Sequence, residues 1–112
     1  MIVHRVSNLF ADLPTPLTGE VFDTLLQCRN LRIERIVSSD EPDPVLYRQA
    51  QDEWVLLLRG EAILVIGDTR VELAAGDHLF IPAQTPHRLI ATSAEPRCVW
   101  LAVHLDPDPA AA

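Results

Sequence analysis

The stretch that decides the fold is residues 53–91, EWVLLLRGEAILVIGDTRVELAAGDHLFIPAQTPHRLIA. It consists of short apolar runs separated by turns, and three of these turns contain glycine, at Gly60, Gly67 and Gly76. Short runs that alternate with a turn about every ten residues are typical of antiparallel sandwiches and barrels. The stretch therefore predicts an all-β fold made of antiparallel strands.

The same pattern of short apolar runs separated by turns continues on both sides of this stretch. Residues 31–36 alternate with a period close to two, which predicts a strand. Residues 98–105 form the last apolar run, and residues 38–44 between the first runs are a turn-rich acidic loop. We therefore predict one antiparallel β-barrel domain over residues 31–105, with eight or more strands.

The segments before and after the barrel differ from it in character. Residues 1–30 are predicted to form a short N-terminal arm. Thr18 is the candidate cap of one short helix over residues 19–27, and a strand through the same residues is the alternative. Residues 106–112, DPDPAAA, are predicted to be a disordered tail.

Charge and composition exclude several classes of function. The formal net charge of −7 at pH 7 disfavours nucleic acid and anionic membrane surfaces as partners, because both bind basic surfaces. All nine basic residues are Arg, so lysine Schiff-base chemistry is excluded. No apolar run approaches the roughly 18 residues of a membrane-spanning helix, and the N-terminus lacks a secretory apolar region. We therefore expect a cytoplasmic protein.

Two motifs in the central stretch resemble those of the cupin superfamily. Glu53, six further residues and Gly60 match the end of the first cupin motif, G-x5-H-x-H-x3,4-E-x6-G. Gly76, Pro82 and His87 match the second motif, G-x5-P-x-G-x2-H-x3-N. The chain thus resembles a small single-domain cupin. This resemblance implies a jelly-roll barrel, also called a double-stranded β-helix.

The chain departs from the cupin pattern at two metal-ligand positions and at one glycine position. Tyr47 and Gln49 stand where the first motif has its two histidines, and Gln84 stands where the second has its second glycine. The ligand set that the resemblance implies is thereby reduced to Gln49, Glu53 and His87. A shell of mixed oxygen and nitrogen ligands suits a divalent ion such as Zn, Mn, Fe or Ni.

Strand geometry adds neighbours to this set. Tyr47 and Gln49 share parity with Glu53, so all three can face one side of the barrel wall. His104 shares parity with Trp100 and Ala102 in the last apolar run, so it can join the site if that face points inward. Tyr47 and His104 are therefore candidates for additional pocket residues. Each residue also has an ordinary interpretation: a polar strand residue for Gln49, a rim charge for Glu53, a hydrogen-bonded strand histidine for His87, a packing residue for Tyr47 and a core or interface histidine for His104.

Three functions remain open at this level. The first is a metal-binding cupin that holds a small polar molecule in its barrel and isomerises, epimerises or oxidises it, with Glu53 or His87 as an alternative general base. The second is a metal-free module that binds or senses a small molecule. The third is a filled barrel that acts through its outer surface. The sequence does not decide whether the protein is an enzyme, and it assigns no catalytic residue.

Two apolar strands indicate the oligomeric state that we expect. Residues 54–58 and 99–103 are apolar on both faces, and a small barrel covers only the inner one. The outer faces therefore predict a homodimer, with the N-terminal arm as the alternative cover.

Overall fold

A computed structural model of the protein describes residues 4–107. Within those residues it contains eight antiparallel strands and no helix, so the predicted all-β fold is confirmed. No described helix is available to span a membrane, and the cytoplasmic location stays a prediction. The strands are β1 Glu20–Cys28, β2 Leu31–Ser38, β3 Asp52–Arg59, β4 Glu61–Ile66, β5 Thr69–Ala74, β6 His78–Ile81, β7 His87–Thr92 and β8 Cys98–Leu105.

The strands form two sheets that pack against each other. The larger sheet has the order β1-β2-β8-β3-β6, and the smaller has the order β5-β4-β7. From β5 onward, each connection crosses from one sheet to the other, as in a jelly roll. Buried residues of both sheets form one hydrophobic cluster: Val55, Leu57, Ala62, Leu64, Leu73, Ile81, Cys98 and Trp100.

The tightest corner of the barrel lies between β3 and β4. β3 ends at Arg59 and β4 begins at Glu61, so the chain passes between the sheets at Gly60. Gly60 has φ +94°, and a Cβ atom there would lie 2.9 Å from the Cys98 Sγ atom and 3.0 Å from the Cys98 Cα atom. Only glycine meets both requirements, the left-handed conformation and the close approach to β8.

The inner faces of β3 and β8 change from apolar to polar along the barrel. Leu57 on β3 and Cys98 on β8 are 0% exposed and belong to the packed core. Further along the same faces lie Glu53 on β3 and His104 on β8, which are register partners. The core therefore fills one end of the barrel, and buried polar side chains gather toward the other.

The segment predicted to contain a short helix is a strand. Residues of β1 pair with β2 from Glu20 opposite Ser38 to Cys28 opposite Leu31. The helix prediction is thus wrong and its strand alternative is confirmed, because β1 gains a ladder of interstrand hydrogen bonds in the larger sheet. The sheet begins at Glu20, before residue 31. Only seven strands lie within 31–105, so the expectation of eight or more in that range was also wrong.

The ends of the described chain are held to the larger sheet. The Arg35 guanidinium donates hydrogen bonds to the carbonyl oxygens of Leu9 and Ala11, each at 2.9 Å, and it pairs with Asp23 of β1 at 2.7 Å. At the other end, the Asp106 backbone N–H donates to the Asn30 carbonyl at 2.8 Å. The remainder of the predicted tail, residues 108–112, lies outside the described residues.

Candidate ligand-binding site

A cavity of about 400 Å³ lies in the polar half of the barrel. Its wall combines an apolar and a polar group of side chains, the composition of many small-molecule sites. The apolar group is Phe22, Ile36, Val55, Leu64, Ile81, Leu89 and Trp100. The polar group is Glu20, Thr24, Arg32, Glu34, Ser38, Tyr47, Gln49, Glu53, His87 and His104.

All five residues that the sequence indicated for the site line this one cavity. They come from different parts of the fold: the loop before β3 carries two, and β3, β7 and β8 carry one each. The five are Tyr47, Gln49, Glu53, His87 and His104. The structure therefore brings them together, whereas their roles as metal or ligand contacts stay predictions.

The ring of His87 is fixed from two sides. Its Nδ1 atom lies 2.9 Å from the Thr85 carbonyl oxygen, which can only accept, so Nδ1 carries the proton and donates. The Tyr47 ring stacks on the imidazole with centroids 5.7 Å apart, and the backbones of the two residues form an isolated bridge. The Nε2 atom is thereby directed to Glu53, whose Oε1 atom is 3.6 Å away.

This environment changes the pKa of His87. Burial by itself lowers the pKa of the imidazole, because the charged form loses hydration. The carboxylate of Glu53 and the Thr85 carbonyl both favour the protonated ring, and they outweigh burial. The pKa of His87 is therefore raised above its ordinary value.

A second buried pair lies beside the first. The His104 Nε2 atom is 3.7 Å from Glu53 Oε2 and 3.6 Å from Glu34 Oε1. Glu34 in turn lies 2.7 Å from the Arg32 Nε atom. The carboxylate of Glu53 is thus shared between two imidazoles. Together these ionisable side chains form a continuous network across the cavity wall, and they come from four strands.

The sequence analysis did not identify two members of this network, Arg32 and Glu34. Both lie on the inner face of β2, where they share parity with Ile36. The alternation of residues 31–36 predicts a strand but leaves open which face is inner, since each face carries apolar and charged residues. The sequence carries no local signal for them, because only the pairing of β2 with β8 places Arg32 opposite His104.

Glu53 and His87 present two potential ligands for a metal ion. A distance of 3.6 Å between Glu53 Oε1 and His87 Nε2 allows one ion to lie at about 2.1 Å from both atoms. The Gln49 Oε1 atom, buried without a hydrogen-bond partner in the same cavity, is a candidate third donor. Within residues 4–107, no group of three or more His, Cys, Asp or Glu side chains is placed to hold an ion. Any third protein ligand among these residues would therefore be a neutral group, such as the Gln49 amide.

Comparison with known proteins agrees with the fold. The cupin domain family matches residues 37–104. A protein from Ralstonia eutropha JMP134 with the provisional name mannose-6-phosphate isomerase is 37% identical, with a TM-score of 0.83 over 93% of this chain and 100% of that chain. A conserved protein of unknown function from Streptococcus pyogenes is 24% identical, with a TM-score of 0.78 over 96% and 92% of the two chains.

A cupin superfamily protein from Desulfitobacterium hafniense DCB-2 is also 24% identical, with a TM-score of 0.72 over 93% of this chain and 100% of that chain. No match was found among curated proteins. The family match covers more than half of the chain, and the Ralstonia protein is 37% identical over 93% of this chain. On these grounds the chain belongs to the cupin domain family.

Proposed function

We propose that this cupin binds a small polar molecule in its barrel cavity, beside a divalent metal ion held by Gln49, Glu53 and His87. The observation that carries the proposal is the approach of two hydrogen-bond acceptors inside the cavity. Because His87 donates through Nδ1, its Nε2 atom is a lone-pair acceptor in the neutral ring, and it faces the Glu53 carboxylate at 3.6 Å. Two such atoms repel unless a cation lies between them.

The second contact of His87 supports an ion as that cation. Histidines that bind metal usually donate their other N–H group to a carbonyl or carboxylate, which fixes the ring. The contact with the Thr85 carbonyl has this form. The unpartnered oxygen of Gln49 supplies a donor that is neutral, so the ion would be held weakly. Zn, Mn, Fe and Ni all accept such oxygen and nitrogen ligands.

The residues around the ion define what chemistry is open to the site. A bound ion would polarise an oxygen of the small molecule as a Lewis acid. In place of the ion, Glu53 Oε1 or His87 Nε2 is positioned to take up a proton as a general base. An isomerisation, the reaction class in the provisional name of the Ralstonia protein, is one reaction that such bases serve.

The test of the ion is a calorimetric titration with Mn²⁺, Zn²⁺, Fe²⁺ and Ni²⁺ at neutral pH. We expect at least one ion to bind the wild type with a dissociation constant below about 1 mM. The variants His87→Ala and Glu53→Gln are expected to lose about tenfold or more in affinity. His78→Ala is the matched control, since His78 is an exposed histidine that lies against Trp54. Equal binding by all four proteins, or none by the wild type, contradicts the ion.

A metal-free binding module is the second candidate, and one observation favours it. No third imidazole or carboxylate of residues 4–107 joins Glu53 and His87 in a metal-binding group. In this case a proton takes the place of the ion between Nε2 and Oε1, which agrees with the raised pKa of His87. The two candidates differ in their pH dependence. Lower pH displaces a metal ion from the imidazole, whereas it strengthens the protonated pair.

We also propose that two copies of the chain associate through the outer face of the larger sheet. Trp54 and Leu56 on β3 alternate with cavity-lining residues and therefore point outward. Their register partners Val103 and Leu101 on β8 and Phe80 on β6 extend this apolar surface. Phe80 is 55% exposed, so the N-terminal arm leaves a part of the surface uncovered. A second copy is the occupant that a self-complementary apolar face favours.

A further inference from the structure

The inner face of the larger sheet carries two rows of paired side chains that differ in polarity. In the first, the polar row, Arg32 of β2 lies opposite His104 of β8, and His104 lies opposite Glu53 of β3. The second row lies four residues away along each of these strands, a distance of about 13 Å. One wall of the cavity therefore contains a polar and an apolar region that are separated along the strands.

The second row, the apolar row, connects the edge of the cavity with the hydrophobic core. Phe22 of β1 lies opposite Ile36 of β2, which lies opposite Trp100 of β8. Trp100 in turn lies opposite Leu57 of β3, a fully buried core residue. At the other end of the row, Phe22 on the edge strand β1 is 51% exposed. The row thus forms a continuous apolar surface from solvent to the core.

The smaller sheet has the same order of polarity. His87 of β7 faces the polar row, with its Nε2 atom 3.6 Å from Glu53 Oε1. Two residues further along β7, Leu89 lies opposite Leu64 of β4, and both line the cavity. Both of these leucines also pack in or against the hydrophobic cluster. A molecule in the cavity therefore meets polar groups at one end and hydrocarbon from both sheets along its body.

The groups that can bind a ligand by hydrogen bonds lie outside the apolar row. The one side-chain polar atom of this row, Trp100 Nε1, already donates to Ser38 Oγ at 3.0 Å. A ligand hydroxyl placed against the row would lose its hydrogen bonds to water without replacement, whereas a methylene gains from burial. In the polar row, by contrast, His104 Nδ1 is buried without a partner. Glu20, two residues before Phe22 on β1, holds a further unpartnered atom, Oε2.

We propose that the ligand of this cavity is amphiphilic, with a hydroxyl or carbonyl head at Glu53 and His87 and an uncharged hydrocarbon body along the apolar row. The proposal rests on the proposed function of the cavity and names its ligand class as alcohols and carbonyl compounds with an aliphatic or aromatic body. It disfavours polyols such as the mannose unit in the provisional name of the Ralstonia protein, because their hydroxyl groups surround the whole molecule. Each methylene buried against the row should tighten binding about threefold.

The test uses probes with one head and a growing body: propane-1,2-diol, butane-1,2-diol, pentane-1,2-diol and hexane-1,2-diol, with mannose as the polyol for comparison. Binding to the wild-type protein is followed by NMR through the indole N–H signal of Trp100, which lines the cavity. The indole signal of Trp54 reports on the outer surface and is the internal control. We expect the dissociation constant to fall about threefold with each methylene, so that hexane-1,2-diol binds about tenfold or more tightly than propane-1,2-diol and mannose.

Two variants assign the body of the probe to the apolar side of the cavity. Leu89→Asn and Phe22→Asn each place an amide where the cavity is lined by hydrocarbon. Each should weaken binding of hexane-1,2-diol severalfold and leave that of propane-1,2-diol nearly unchanged, because only the longer body reaches these positions. Ile90→Asn is the matched control, since Ile90 follows Leu89 on β7 and is 37% exposed outside the cavity. Phe22 is half exposed, so its variant keeps the test valid if Leu89→Asn does not fold.

The outcomes separate this inference from the proposed function. A dissociation constant that stays the same along the diol series, or mannose that binds as tightly as hexane-1,2-diol, overturns the amphiphilic ligand while leaving the proposed function intact. Equal losses of affinity for the shortest and the longest diol in the folded variants overturn the assignment of the body to the apolar row. If none of the probes shifts the Trp100 signal, the proposed function fails, and this inference fails with it.

Discussion

The contact between Glu53 and His87 makes a prediction about one ionisable group. Since the Glu53 carboxylate is a main cause of the raised pKa of His87, the variant Glu53→Gln should lower that pKa. Burial then dominates and disfavours the imidazolium. An NMR titration of the ring protons measures the change, with exposed His78 as the internal reference. An unchanged pKa of His87 in the variant would show that the two side chains do not interact.

The same contact predicts how stability depends on pH. A histidine whose pKa is raised in the folded state contributes stability below its unfolded pKa of about 6.5, and this contribution disappears as pH rises through the folded value. Glu53→Gln should therefore destabilise the protein more in mildly acidic than in mildly alkaline solution. Urea unfolding at two pH values, one on each side of this range, measures the difference. A destabilisation that is greater at alkaline pH would contradict the account.

At the residue scale, motif spacing predicts some positions well and others poorly. It indicates Glu53 and His87, and both line the cavity. Gln84 departs from the glycine of the motif, yet its φ of +63° retains the left-handed backbone that the glycine position requires. Glu34, in contrast, belongs to no motif. Its place beside His104 depends on which face of β2 is inner, and this is settled by packing against the second sheet.

Among the elements, β1 shows why local patterns mislead. Its apolar residues recur at a spacing that also fits one face of a helix: Val21, Phe22, Leu25 and Leu26. The strand has a register shift between Thr24 and Leu26, and such an irregularity breaks the period of two along its sequence. A strand with a shift thus carries an apolar pattern close to that of a helix. Only its pairing with β2 resolves the ambiguity.

The corner between β3 and β4 predicts a large effect of one methyl group. Gly60→Ala requires a left-handed conformation that alanine rarely adopts, and its Cβ atom would meet Cys98 of β8. We expect the free energy of unfolding to fall by about 2 kcal/mol or more. Chemical denaturation measures it. Gly67→Ala is the matched control, because Gly67 also has positive φ but has no atom within 4 Å of the Cβ position. An equal loss of unfolding free energy in both variants would show that the close approach to Cys98 does not contribute to stability.

The N-terminal arm depends on Arg35 of β2. Arg35→Ala removes hydrogen bonds to the Leu9 and Ala11 carbonyls and the ion pair with Asp23. We expect residues near Leu9 to exchange backbone hydrogen faster, and stability to fall by about 1–3 kcal/mol. Hydrogen exchange measured by mass spectrometry is the check. Arg70→Ala on exposed β5 is the control and should leave exchange in the arm unchanged. An arm that exchanges alike in both variants would contradict its attachment.

At the scale of the whole molecule, the outer apolar face predicts association. Light scattering at micromolar concentration should give twice the chain mass of 12.5 kDa. Phe80→Glu places a charge on the exposed part of this face and should yield monomers. Leu46→Glu changes another exposed apolar residue, in the loop before β3, and should leave the dimer intact. A monomeric wild type would mean that the arm alone covers this surface sufficiently.

The central claim is that the polar end of the barrel holds a small molecule against Glu53 and His87. Its most direct test is a crystal structure of the protein soaked with a library of small polar fragments. The account predicts fragments inside the cavity, within hydrogen-bond distance of Glu53 or His87 and in contact with the apolar wall. Crystals in which every bound fragment lies on the outer surface, or in which Glu53 and His87 point to opposite faces of the barrel wall, would contradict it.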